Sequence, residues 1–171
     1  MIRYLSPMRL LAAATGLCVV LFAIGWTMRE DPSDKPYLKI LGGGFMFNYR
    51  EAEVFYGFTA LVERPLASGS IIEAEFENPG GGESLVVFER VSTMTDTYAL
   101  RSPPVRGVEK DKPYNVAIRI YDRERKELLW ATTRDYTSQI SDDVVPDKPL
   151  TIGPGYALNP DNVPGAERPP R

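Results

Sequence analysis

The residues best placed to do chemistry are glutamates at alternate positions. Glu73, Glu75 and Glu77 stand in the run Ser-Ile-Ile-Glu-Ala-Glu-Phe-Glu, with Ile72, Ala74 and Phe76 between them. In an extended strand, residues two apart share a face and lie roughly 7 Å from each other. Such a row can bind a cation. It can also act as the acid and base of a glycosidase, whose carboxyls stand about 5–9 Å apart. Glu51 and Glu53 repeat the spacing. The simpler reading of the row is a solvated outer strand face, its carboxylates paired with Arg or Lys on a neighbouring strand.

Other chemistry-bearing features have equally plain alternatives. Trp130 offers a stacking platform for sugar, but a Trp in a short hairpin more often fills a core. Pro103-Pro104 forms a short extended segment that a partner domain can read, or an ordinary loop. Gly42-Gly43-Gly44 is followed by Phe45-Met46-Phe47 rather than Gly-Lys-Ser/Thr, so it reads as a turn or strand bend and not a phosphate loop. Asp142, Asp143 and Asp147 lack the spacing of a calcium loop.

Composition excludes more than it assigns. The chain of 171 residues has no histidine, which removes Ser-His-Asp and Cys-His nucleophiles and imidazole metal sites. The single cysteine, Cys18, sits in an apolar run and follows Leu17 rather than the small residue a lipoprotein signal needs. No cofactor or metal is expected. The formal net charge is −3, and Arg3 and Arg9 are the only charges before residue 29, so the rest of the chain is more acidic still. That argues against nucleic-acid binding, and no polybasic run suggests recognition of anionic lipid. The absence of disulfides and of Asn-x-Ser/Thr sequons leans toward a bacterial periplasm over a eukaryotic cell surface.

Strand signals dominate the elements that must position these residues. Short strands are expected at 37–41, 45–49, 53–62, 70–77, 85–91, 95–101, 114–121 and 128–136, with turns at Asn78-Pro79-Gly80-Gly81-Gly82 and Asp122–Lys126. The triple glycine should stop the first of them. Inward rows are expected at Ile72, Ala74 and Phe76, and at Val116, Ile118 and Ile120. Seven or eight such strands imply an all-β fold, an antiparallel β-sandwich of immunoglobulin-like or fibronectin-like architecture over residues 37–143. The fold alternative is a small β-barrel. Residues 144–171 hold seven prolines; Leu150, Ile152, Tyr156 and Leu158 suit docking of the first half, and the stretch from Asn159 on should be disordered.

Leu10 to Met28 carries no charge over 19 residues, close to the roughly 20 that span a bilayer. It reads as a transmembrane signal anchor, with 1–9 in the cytoplasm and 29–36 as a linker; the alternative is a signal peptide cut near Ala23-Ile24-Gly25. Arg3 and Arg9 before the span put the N-terminus inside and the domain outside the inner membrane of a bacterium. In architecture alone the build resembles small bitopic periplasmic proteins. The expected function is a non-catalytic accessory protein that binds a protein partner at the membrane or cell envelope. Trp130, Glu73, Glu75, Glu77, Pro103 and Pro104 are the candidate interaction residues. A glycan or peptidoglycan module, and then a carboxylate-dependent hydrolase, are the alternatives.

Overall fold

The computed structural model describes residues 7–29 and 35–162. The expectations for the first six residues, for 30–34 of the linker and for the tail from 163 on lie outside the described residues. The chain divides into two compact units, at Lys35/Pro36.

The first unit is a helix, α1 (Pro7–Thr27), 21 residues long. Its Leu, Ala and Met content favours helix, and its last hydroxyl, on Thr27, donates to the Ile24 carbonyl at 3.0 Å. The stretch Leu10–Thr27 has a mean hydropathy of 2.1, and none of it is buried. A helix apolar all round is suited to hydrocarbon. At 1.5 Å per residue those 18 residues extend about 27 Å, enough to cross a bilayer core.

The second unit is an antiparallel β-sandwich. Strands β1 (Leu38–Asn48), β2 (Glu53–Val62) and β5 (Thr97–Arg101) form one sheet in the order β1-β2-β5. Strands β3 (Ile71–Phe76), β4 (Leu85–Arg90), β6 (Pro113–Tyr121) and β7 (Leu128–Thr137) form the other, in the order β4-β3-β6-β7. No ladder joins β4 to β5 or β1 to β7 among the described residues, so two sheets face each other rather than closing as a barrel. Alternation supplies the core: Val54, Tyr56 and Phe58 from β2 meet Ile72, Ala74 and Phe76 from β3 and Val116, Ile118 and Ile120 from β6. The rings of Phe45 and Tyr56 stack at 4.6 Å within it.

The glycines do not stop the first strand. β1 runs through them, with Leu41 bulged out where the pairing shifts between Ile40 and Gly42. The reason is space. A Cβ on Gly43 would lie 2.5 Å from the Gly57 carbonyl oxygen and 2.6 Å from Tyr136 Cε1, so the missing side chain lets the two sheets approach where Tyr136 crosses.

The first part of the tail lies on the sandwich. Val145 is in the core, Arg106 Nη2 donates to the Pro146 carbonyl at 3.2 Å, and the Thr151 amide donates to the Arg50 carbonyl at 3.3 Å. A small hairpin, β8 (Thr151–Ile152) with β9 (Ala157–Leu158), follows. Asn159, on which the expected disorder begins, is buried, its side-chain amide donating to the Pro149 carbonyl at 2.7 Å.

Candidate functional site

Register fixes what stands on the outer face of the four-stranded sheet. β3 is central, so each of its outward residues has a neighbour on β4 and another on β6. Ile71 lies between Arg90 and Tyr121, Glu73 between Phe88 and Arg119, and Glu75 between Val86 and Ala117. The glutamates therefore meet a guanidinium across the ladder. Arg119 Nη1 donates to Glu75 Oε2 at 2.6 Å and reaches Glu73 Oε1 at 3.4 Å.

A second arginine arrives from the β6–β7 loop. Asp122 Oδ1 accepts the backbone amides of Lys126 at 2.6 Å and Glu127 at 3.1 Å, and Arg125 takes a left-handed conformation with φ 58°. Those amides, that of Glu127 first, hold the Asp122 carboxyl below the usual carboxylate range. The tight turn sends Arg125 back over the sheet, where its Nη2 donates to Glu73 Oε2 and its guanidinium lies 5.8 Å from the Tyr121 ring centre.

The expected row of three solvated carboxylates is therefore altered. Glu73 is only 4% exposed, because two arginines and the β4 neighbour cover it. Glu75 stays partly exposed, and the Arg119 hydrogen bond, with a smaller one from Ser84, holds its carboxyl below the usual range. Glu77 leaves the row, since β3 ends at Phe76; its Oε2 instead accepts the Asn115 amide at 2.9 Å. The pairing with arginine on a neighbouring strand is the arrangement expected of a plain sheet face. Chemically, the Arg119 hydrogen bond favours the ionised form of Glu75.

The other candidates lie apart from this network. Trp130 is opposite the inward-facing Ile120, so it sits on the other side of the sheet, half-buried against the core. Pro103 and Pro104 are exposed in the connection between β5 and β6. They line a groove of about 380 Å³ with Glu51, Glu53, Phe55 and Arg101. There Glu51 Oε2 accepts from Asn48 Nδ2 at 2.7 Å, and the Arg101 guanidinium stands 4.9 Å from the Phe55 ring centre.

Beside the network are residues that the sequence did not single out. Val86 and Phe88 are 51% and 58% exposed on the edge strand β4, flanking Glu75 and Glu73. Arg90, Arg123 and Arg125 surround a pocket of about 190 Å³ over Ile71, with Phe88 and Glu124 completing the wall. The alternation of β4 marks Val86 and Phe88 as one face. Nothing in the chain order brings positions 90, 123 and 125 together.

No protein-family profile matches the chain, and no curated protein matches it. Among solved structures, the chain is similar to a beta-glucuronidase of Bacteroides uniformis, with a TM-score of 0.38 and 15% identity. That match covers 59% of this chain and 12% of the other. It is also similar to a calcium-binding mutant of beta-glucuronidase 2 from Bacteroides uniformis, with a TM-score of 0.35 and 15% identity, covering 59% of this chain and 13% of that one.

Proposed function

We propose that this chain is a membrane-anchored, extracytoplasmic interaction protein whose β-sandwich binds a protein of the membrane or cell envelope. The observation that carries the reading is α1: Leu10–Thr27 is apolar on every side and unburied, and a β-sandwich follows it. Arg3 and Arg9 precede the span and acids follow it at Glu30 and Asp31, which favours a cytoplasmic N-terminus and a periplasmic domain at a bacterial inner membrane. The contact face of choice is the outer side of β4 and β3. Exposed Val86 and Phe88 supply apolar area, and the adjoining Glu73–Arg119–Arg125 network supplies fixed charge around it.

The test places a photo-crosslinking residue at Phe88, and a control one at exposed Glu109, in the full-length protein in native membranes. The expected result is one dominant protein adduct from position 88 and none from 109, on a bait whose intact mass includes Met28. Equal labelling at both positions, or no protein adduct at 88 in well-expressed bait, would refute the reading.

A further inference from the structure

The pocket formed by Arg90, Arg123 and Arg125 has more positive charge than its surroundings neutralise. Two acids face it. Glu124 pairs with Lys126, and Glu73 pairs with Arg119 and Arg125. Arg90 and Arg123 are held differently. Arg90 Nη1 donates to the Gly69 carbonyl at 3.3 Å, and Arg123 donates to the Ser68 carbonyl through Nε at 3.2 Å and Nη2 at 2.9 Å. Among the described residues neither pairs with a carboxylate. Neutral carbonyls thus orient both guanidiniums without cancelling their charge. Each keeps free donors of the five it carries.

The loop that holds them is shaped for it. Gly69 has φ +88°, a left-handed conformation that glycine adopts without strain, and a Cβ there would stand 3.1 Å from Arg123 Nε. The two arginines are therefore positioned by backbone geometry before any ligand arrives. Buried Ile71 gives the pocket an apolar floor and Phe88 an apolar wall, while the guanidiniums stay open to solvent and to a ligand. Planar guanidiniums with paired donors match the oxygens of a tetrahedral oxyanion.

We propose that this pocket binds a phosphate group, with Arg90 and Arg123 as its principal donors and Arg125 at its rim. A phospholipid headgroup and a free phosphate present the same chemistry. The pocket shares Phe88 and Arg125 with the contact face considered above, but its principal donors, Arg90 and Arg123, and the 68–69 backbone that orients them are not part of that face's apolar patch or its charge network, so the two proposals are tested separately.

The experiment uses full-length protein in nanodiscs. In discs of phosphatidylcholine, inorganic phosphate is titrated at constant ionic strength while the Gly69 and Arg123 amide resonances are followed. In a second arm, hydrogen exchange of residues 68–70 and 122–126 is compared between discs of phosphatidylcholine and discs that also contain phosphatidylglycerol. Saturable shifts at Gly69 and Arg123 are expected, weakened about tenfold in Arg90→Gln, with an unchanged melting temperature, and partly restored in Arg90→Lys. Added protection in the phosphatidylglycerol discs identifies a headgroup as the source; shifts with phosphate alone identify a free anion. The proposal fails if neither arm responds, or if Arg90→Gln and Arg123→Gln both bind phosphate as the parent does.

Discussion

Replacing Arg119 with methionine is expected to destabilise the sandwich far more than replacing Glu73 with methionine. The asymmetry follows from who is left behind. The Glu73 side chain is 5% exposed, so its carboxylate has lost nearly all its water and depends on Arg119 and Arg125. Removing one partner of a buried ion pair costs about 3–5 kcal/mol when nothing else compensates the survivor. Here Arg125 remains for Glu73, and Glu75 is one-third exposed, so the loss on Arg119→Met should be about 2–3 kcal/mol. In Glu73→Met the desolvated charge itself is gone. Arg119 keeps Glu75, and the Arg125 side chain, 55% exposed, turns to water. That change should stay within about 1 kcal/mol of zero. For a domain of this size each kcal/mol moves the melting temperature by about 3–5 °C, so the two variants should separate clearly in thermal and urea unfolding followed by circular dichroism. The acid limb adds a second readout. Glu75 has a folded pKa held down first by the Arg119 hydrogen bond. Its contribution is therefore present above the unfolded glutamate value of about 4.3 and is lost as the pH falls through the folded one. Arg119→Met should flatten that limb. If Glu73→Met loses as much stability as Arg119→Met, the reasoning from desolvation is wrong.

Three other perturbations test separate parts of the structure. Gly43→Ala should cost about 2–3 kcal/mol, because its Cβ meets backbone and the Tyr136 ring, whereas Gly44→Ala, with nothing within 4 Å, should change stability by no more than about 0.5 kcal/mol; equal urea midpoints would contradict the close approach. Tyr136→Phe should be neutral or stabilising by up to about 1 kcal/mol, since the buried hydroxyl has no hydrogen-bond partner among the described residues, and a spectrophotometric titration should lose one of the late-ionising tyrosines of the parent, because burial raises the pKa of Tyr136 as it does that of Tyr56. Val20→Arg places a charge in the middle of the apolar helix at an insertion cost of about 2.5–3.5 kcal/mol, so the protein should shift from the carbonate-resistant pellet to the soluble fraction; an unchanged distribution would remove membrane insertion as the role of α1.

The fold was legible in the chain because its two strongest signals are local. Period-two rows such as Ile72-Ala74-Phe76 and Val116-Ile118-Ile120 require only that alternate residues face one way, and they do form the core. Uncharged length alone marks α1. The misread element, the glycine run in β1, is one whose meaning is non-local. Gly42-Gly43-Gly44 has turn composition, but Gly43 answers to Tyr136, 93 positions later in the chain, and no local rule distinguishes a glycine that ends a strand from one that admits a neighbouring sheet.

The site separates along the same line. Alternation correctly sets Glu73 and Glu75 opposite the core, but it equates facing outward with facing water. What buries Glu73 is a pair of arginines, one placed by the β3–β6 register and one returned by the Asp122 turn. Both are charged residues that a composition count assigns to solvent. The same turn carries Arg123 to the Ser68 carbonyl, while the end of β4 delivers Arg90 to Gly69. An acidic chain thus holds a basic pocket without any basic run, since 90, 123 and 125 become neighbours only through the pairing of β4, β3 and β6. Net charge therefore speaks to long-range association, and the arrangement of a few guanidiniums on fixed carbonyls decides what the surface can hold at short range.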